Sequence, residues 1–145
     1  MEQLLGFART HNIEVLSQSD VLNIAHIAPG VTCGGISPLT ERTIERGMHL
    51  AREISRLDIG QTVVMKDEMV IAIEAIEGTD ACIARAHAIA GESIVICKAA
   101  YPAHNDRYDL PVLGPHTIAP YASGALAAIA WCSQKTLIAE QELFI

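Results

Sequence analysis

Apolar residues recur at helical spacing in several segments of the chain, which predicts amphipathic helices there. Residues 2–11 form one such segment, and residues 21–27 form another, with Ser17 or Ser19 as its candidate cap. The longest segment begins at Ser37-Pro38, because a serine cap followed by proline in the first turn is typical of a helix start. Its apolar positions are Ile44, Met48, Ala51, Ile54 and Leu57.

A further helix is predicted after the string Glu77-Gly78-Thr79-Asp80 and should end at Gly91, since glycine commonly follows the last helical turn. Its inner face is expected to carry Ile83, Ala86, His87 and Ala90. Another helix is predicted from about Thr117, because Pro120 then falls within its first turn. Glu140 is expected to start a last helical turn.

Short apolar and β-branched runs between these helices predict strands. Residues 62–65 and 69–73 flank the polar string Lys66-Asp67-Glu68, which predicts a hairpin. The other strand candidates are residues 13–16, 93–97, 127–131 and 136–139. Helices that alternate with strands and a hairpin predict an α/β fold, in which helices pack on a mixed β-sheet. We expect a single compact domain over residues 1–145.

Composition and charge exclude several classes of function. The formal net charge is −7, and no basic surface of the kind that binds nucleic acid without sequence preference is visible. No apolar run is long enough to span a bilayer, so at most peripheral membrane contact is expected. The first residues lack the pattern of a secretory signal, which favours a cytoplasmic location.

The cysteines and histidines do not have the spacing of a metal site. Cys33, Cys82, Cys97 and Cys132 are widely separated without a CxxC pair, so reduced thiols are expected rather than zinc ligands or disulfides. Histidine pairs of the HExxH kind are absent from the sequence. Cys97 lies in an apolar run and is expected in the core rather than as a nucleophile.

Carboxylates gather where predicted strands end. Glu74 and Glu77 follow the second hairpin strand, Asp80 begins the next helix, and Asp106 and Asp109 lie in a long loop after another strand. Ligands of open α/β sheets bind beyond the carboxyl ends of strands, and carboxylates there suit a hard cation such as Mg²⁺. We therefore expect Glu77, Asp80 and Asp109 to converge. The alternative is that Glu77 and Asp80 only complement a helix dipole.

Two segments could hold phosphate. Gly78 would let the backbone approach a ligand, and the N–H groups of the helix that follows could bind an anion; the alternative is that Thr79 is an ordinary helix cap. In the long loop, Arg107 could clamp a phosphate and Lys98 could supply a point charge beside it. A solvated loop whose charges pair locally is the alternative there.

The strings that stand out are Asp58-Ile59-Gly60-Gln61-Thr62-Val63-Val64, Glu74-Ala75-Ile76-Glu77-Gly78-Thr79-Asp80, and Asp109-Leu110-Pro111 with Gly114. Together they resemble the C-terminal domain of the UDP-2,3-diacylglucosamine hydrolases of the LpxI type, over nearly all of the chain. The N-terminal domain of that family has no counterpart in these residues.

The resemblance implies hydrolysis of the pyrophosphate of a UDP-linked diacylated sugar to lipid X (2,3-diacylglucosamine 1-phosphate) and UMP, with Mg²⁺, in bacterial lipid A and lipopolysaccharide synthesis. It makes Asp109 the best candidate for metal binding or water activation. The implied metal ligands are Glu77, Asp80 and Asp109. The implied catalytic groups are Asp109, Arg107 and Lys98, and the implied substrate contacts are Gly78, Thr79, His104 and Asn105.

The chain also departs from the pattern of the family it resembles. A family carboxylate is replaced by Asn105, and Cys132-Ser133-Gln134 stands where the family tends to have glutamate followed by Ala-Gly. These differences support an alternative, namely a non-catalytic binding or assembly domain. Without the family's N-terminal domain, apolar surface should be exposed, so a homo-oligomer or a separate partner chain is expected.

Overall fold

The computed structural model describes residues 2–16, 29–30, 34–101, 110–133 and 135–144. The helices are α1 (Glu2–Thr10), α2 (Pro38–Arg56), α3 (Thr79–Ala90), α4 (Pro115–Ile118) and α5 (Gln141–Phe144), and a 3₁₀ turn spans Ala119–Tyr121. The strands are β1 (Thr62–Lys66), β2 (Met69–Ile73), β3 (Ile94–Lys98), β4 (Val112–Leu113), β5 (Leu126–Trp131) and β6 (Leu137–Ile138).

A mixed sheet with the strand order β2-β1-β3-β5 forms the centre of the fold, as the sequence predicts. Strand β1 is antiparallel to both β2 and β3, whereas β3 and β5 are parallel. Strands β2, β3 and β5 therefore run in one direction, and their carboxyl ends lie at the same edge of the sheet. A separate two-stranded parallel sheet joins β4 to β6.

The predicted hairpin is confirmed, with a shorter turn than the sequence indicated. Lys66 belongs to β1, and the turn consists of Asp67 and Glu68, both with positive φ (48° and 65°). Two left-handed residues in succession form the turn that matches the twist of a hairpin. The N–H of Glu68 donates to the Thr43 hydroxyl (3.1 Å), which ties the turn to α2.

Helices cover both faces of the sheet, so the core has two layers. On one face, Met48, Ala51 and Ile54 of α2 pack against alternate residues of β1 and β3. On the other face, α3 contributes Cys82, Ile83 and Ala86 to a cluster with the intervening strand residues. Because strand side chains alternate in direction, these buried strands read as nearly continuous apolar runs.

The cysteines behave as the sequence predicts within the described residues. Cys82 and Cys97 are free and fully buried, and Cys132 is free and partly buried, whereas Cys33 lies outside the described residues. Burial raises the pKa of the Cys97 thiol to about 12 and that of Cys82 to about 11. Such thiols are poor nucleophiles near neutral pH, which confirms Cys97 as a core residue.

The predicted start of the long helix is confirmed. The N–H of Thr40 donates to the Ser37 hydroxyl (3.1 Å), and Pro38 occupies the first turn. Helix α2 ends at Arg56, so the prediction that the helix includes Leu57 is wrong: Leu57 follows the last turn and is 57% exposed.

Two other predictions of local structure are also wrong. Residues 13–16 do not form a strand, because the N–H of Ile13 donates to the Ala8 carbonyl (2.9 Å) and closes the end of α1. The helix predicted from Thr117 begins at Pro115 and lasts one turn, and Pro120 falls in the 3₁₀ turn that follows. Proline cannot supply an interior helical N–H, so it limits the length of α4.

Some predictions cannot be compared with the fold. The predicted helix over residues 21–27 lies outside the described residues, as do residues 102–109 of the long loop. The described part of that loop contains strand β4, which the sequence does not predict. No helix in the described segments has the length and apolar character needed to cross a membrane.

Candidate functional site

The candidate site lies where β2 and β3 end and α3 begins. Lys98 is the last residue of β3 and stands opposite Thr62 of β1 and Trp131 of β5 in the strand register. The segment after β2 leads directly into α3, whose first residue, Thr79, contacts Lys98. Ligands of α/β folds bind at this edge of the sheet, as the sequence analysis expects.

Lys98 is a buried cation at this edge. It is 5% exposed, and its Nζ donates a hydrogen bond to the Thr79 hydroxyl (2.6 Å). Lysine is almost never fully buried without a partner, because removing its charge from water is unfavourable. The sequence suggested Lys98 for its charge and Thr79 for its place at a helix start. The structure shows that these two residues are in contact.

Glu74 continues this contact as a hydrogen-bonded chain. The Thr79 hydroxyl donates to Oε1 of Glu74 (2.9 Å), and the N–H of Gln61 donates to Oε2 (3.2 Å). The backbone N–H of Glu74 donates to the Thr62 carbonyl (2.9 Å). A Cβ atom at Gly60 would overlap the carbonyl oxygen of Glu74, so this position needs glycine. The two motif strings of the sequence thus meet at Glu74.

The start of α3 has open backbone donors. Gly78 is the residue before the first turn, with φ 81°, and no side chain caps the helix. The prediction of Thr79 as an ordinary cap is therefore wrong, because Gly78 occupies that position and the Thr79 hydroxyl points to Glu74. The first N–H groups of a helix have no intrahelical partner and carry the positive end of its dipole.

A cleft of about 440 Å³ opens beside this helix start. Its walls come from the first turn of α3 with the residues before it, and from the segment that contains β4 and the start of α4. The lining residues are Glu77, Gly78, Thr79, Asp80, Ala81, Val112, Gly114 and Thr117. The predicted site residues Glu77, Gly78, Thr79 and Asp80 therefore share one cavity.

Glu77 is engaged by protein groups in this structure. Its Oε1 accepts a hydrogen bond from Arg85, and its Oε2 accepts one from the N–H of Ala75 (3.1 Å). Arg85 also donates to the Ile73 carbonyl (3.1 Å). The Arg85 guanidinium holds the pKa of Glu77 below its ordinary value, and Glu77 in turn raises the pKa of Arg85. Asp80, the second predicted metal ligand, is exposed on the cleft wall.

The structure describes two of the three carboxylates that the sequence expects to converge. Glu77 and Asp80 line the same cleft, whereas Asp109 lies outside the described residues, together with His104, Asn105 and Arg107. Within the described segments no group of three histidine, cysteine or acidic side chains could hold a metal ion. Mg²⁺ is usually bound by one or two carboxylates with waters and substrate phosphates, and the described donors fit that arrangement.

Sequence reasoning missed the role of Glu74 in the site. Glu74 appears in the sequence as one of several acidic residues, and nothing in its spacing indicates a contact with Gln61 thirteen positions earlier. The close approach at Gly60 and the facing positions of Thr62 and Lys98 depend on strand register, which a single sequence does not define.

Comparison with known proteins gives two matches. A family model described as the LpxI C-terminal domain matches residues 30–145. The UDP-2,3-diacylglucosamine pyrophosphatase LpxI of Caulobacter vibrioides (strain ATCC 19089 / CIP 103742 / CB 15) is 38% identical over 122 residues, which cover 77% of this chain and 44% of that protein. The chain thus spans less than half the length of this relative.

Proposed function

Since this chain belongs to the LpxI C-terminal domain family, we propose that its cleft binds and hydrolyses the pyrophosphate of a UDP-linked diacylated sugar. The products would be UMP and lipid X, on the cytoplasmic route to lipid A. The name of the Caulobacter relative supports this substrate. The observation that carries the proposal is the buried Lys98, hydrogen-bonded to Thr79 at the start of α3.

Two sources of positive potential favour an anion in the cleft. The first N–H groups of α3 point along the helix axis toward its N-terminal end, where phosphate is commonly bound. Lys98 adds a full positive charge below the same helix turn. The chain as a whole carries a net charge of −7, so an anionic substrate needs such a local cation.

The chemistry would be attack by water on one phosphorus of the pyrophosphate. The P–O bond of the bridge to the other phosphorus would break, and UMP and lipid X would be released. Catalysis of this reaction depends on positioning and on stabilising the negative charge of the phosphoryl oxygens. Lys98 and Arg107 would neutralise that charge, and Gly78, Thr79, His104 and Asn105 would contact the substrate. Asp109 would orient the water or accept its proton.

Bound Mg²⁺ would neutralise phosphate charge and lower the pKa of a bound water. Asp80 would hold it from the cleft wall, and Asp109 would hold it from the loop. Glu77, the third expected ligand, would first have to separate from Arg85. We therefore propose Asp80 and Asp109 as its main protein ligands.

The test is an assay of UMP release. The chain is incubated with UDP-2,3-diacylglucosamine and Mg²⁺, and the nucleotide products are separated by chromatography, with a chelated sample as the control. We expect equal amounts of UMP and lipid X, and no products after chelation. Failure to release UMP across a range of Mg²⁺ concentrations would contradict the proposal.

A second candidate function is binding without cleavage. The observation that favours it is Asn105, which stands where the family pattern has a carboxylate and which removes one potential metal ligand or base. Equilibrium binding of the same UDP-linked sugar without UMP release would support this function instead.

A further inference from the structure

We propose that Glu74 is a positioning residue, which acts through the Thr79 hydroxyl to fix the Lys98 ammonium at the phosphate-binding end of α3. The inference rests on the proposed binding of pyrophosphate in the cleft. Neither Glu74 nor Lys98 is among the residues that line the cleft, so the Lys98 charge would act on a bound phosphate from below Thr79, and Glu74 would act only through that residue. Its effect would be transmitted by the two hydrogen bonds that join it to Lys98.

Glu74 is itself held in place by the backbone. Its N–H is bonded to the Thr62 carbonyl, its Oε2 accepts from the Gln61 N–H, and Gly60 packs against its carbonyl group. The other carboxylate oxygen, Oε1, is thereby directed toward Thr79 and accepts its hydroxyl hydrogen. A carboxylate that is held by neighbouring backbone groups restricts the positions of the side chains that are hydrogen-bonded to it.

The charge of Glu74 determines the direction of the hydrogen bonds. A hydroxyl has one hydrogen to donate, and an ionised carboxylate only accepts. The Thr79 hydrogen must therefore point to Glu74, which leaves its lone pairs for the Lys98 ammonium. A glutamine at position 74 could turn its NH₂ group toward Thr79, and the hydroxyl hydrogen would then face the lysine.

Glu74 also supplies negative charge near a buried cation. Lys98 is 5% exposed, and the Glu74 carboxylate is two hydrogen bonds away from its Nζ. A charge removed from water is stabilised by an opposite charge nearby. Loss of the carboxylate should therefore allow the ammonium to shift away from the helix start, which would weaken its electrostatic attraction for a bound phosphate.

The experiment measures the affinity of the full chain for inorganic pyrophosphate by calorimetry, with folding checked by urea denaturation. We expect Glu74→Gln to bind roughly tenfold more weakly than wild type, and Thr79→Val to bind more weakly by a similar factor. Thr79→Ser keeps the hydroxyl and should therefore bind more tightly than Thr79→Val. Glu92→Gln removes the same charge at an exposed site beyond the other end of α3 and serves as the matched control.

The double variant separates a positioning role from a purely structural one. If Glu74 acts through Thr79, Glu74→Gln with Thr79→Val should bind no more weakly than Thr79→Val alone, because the second change removes a contact that is already lost. Losses that multiply, or wild-type affinity in either Glu74→Gln or Thr79→Val, would overturn the inference. If Glu74→Gln does not fold, Glu74→Asp takes its place: it keeps the charge but shortens the reach to Thr79, so it should lower the affinity in the wild-type chain and have no further effect on Thr79→Val. Wild-type chain that does not bind pyrophosphate would overturn the proposed function, and this inference with it.

Discussion

Replacing Lys98 with methionine removes the ammonium below the first turn of α3 and leaves an unbranched side chain of similar length. The Lys98 Nζ is bonded to Thr79 in the wild type, and the side chain is almost fully buried. Methionine therefore preserves most of the packing and deletes the charge. This change tests the role of the cation more directly than a large-to-small substitution would.

Two effects are expected, one on binding and one on stability. Removal of the charge below the first turn of α3 should lower the affinity for pyrophosphate roughly 10- to 100-fold, since interactions with charged groups contribute about 1.5–3 kcal/mol. The free energy of unfolding should fall, because removing one partner of a buried pair of charges leaves the other, here the half-buried Glu74 carboxylate, without compensation. Thr79 keeps its hydrogen bond to Glu74 in this variant, so its hydroxyl still has a partner.

The assay combines calorimetric titration with inorganic pyrophosphate and urea denaturation of the same samples. Lys66→Met is the matched control, because Lys66 lies on β1 of the same sheet and donates to the Ala90 carbonyl (2.8 Å) at the far end of α3. It changes the net charge equally and should leave pyrophosphate affinity within about twofold of wild type. A folded Lys98→Met variant with wild-type affinity would refute the assignment of Lys98 to phosphate binding.

The other predictions concern a loop residue, an ion pair and the state of association. Asp109→Asn should fold normally and lower UMP release by about 100-fold or more, as expected for the loss of a metal ligand or base; equal rates for both proteins would contradict its role. The lowered pKa of Glu77 means that its bond to Arg85 stabilises the fold above the ordinary pKa of 4.5 and is lost as the pH falls, so Glu77→Gln should show a smaller decrease in unfolding free energy from pH 6 to pH 3; equal slopes in urea denaturation would argue against this. Exposed apolar side chains such as Leu4 (64%) and Phe7 (56%) favour self-association or a partner chain, which light scattering at high concentration and pull-down would detect; a strict monomer without a partner would refute this expectation.

The central part of the fold could be predicted from the sequence because local and long-range preferences agree there. The hairpin turn, the Ser37 cap and the buried strands each have a local signal, and the core requires the same arrangement. The errors lie where the local signal was weak. Residues 13–16 are β-branched in part, but they pair with no strand in the described part of the chain, and the Ile13 N–H is bonded to the end of α1. Pro120 was expected in the first turn of a helix, whereas it follows the single turn that begins at Pro115, because proline is compatible with either place.

The site could be predicted only in part. The gathering of carboxylates at strand ends indicated Glu77 and Asp80, since the carboxyl ends of the strands meet at one edge of the sheet. Lys98 was expected in the loop after the strand, whereas it is the last residue of β3. The partners of these residues could not be predicted. Arg85 reaches Glu77 because α3 packs beside the end of β2, where Arg85 also donates to the Ile73 carbonyl. Glu74 reaches Gln61 because β1 and β2 pair in one particular register. Both contacts depend on tertiary geometry rather than on spacing in the chain.

The most direct test of the account is a titration of the ¹⁵N-labelled chain with inorganic pyrophosphate, followed by NMR. If the cleft at the start of α3 binds the pyrophosphate, the largest shifts should occur at the amides of residues 78–81 and at Gly114 and Thr117 on the opposite wall. These shifts should saturate with a single affinity and should require a roughly 10- to 100-fold higher pyrophosphate concentration in Lys98→Met. Saturating shifts confined to another surface, or unchanged spectra at millimolar pyrophosphate, would contradict the account.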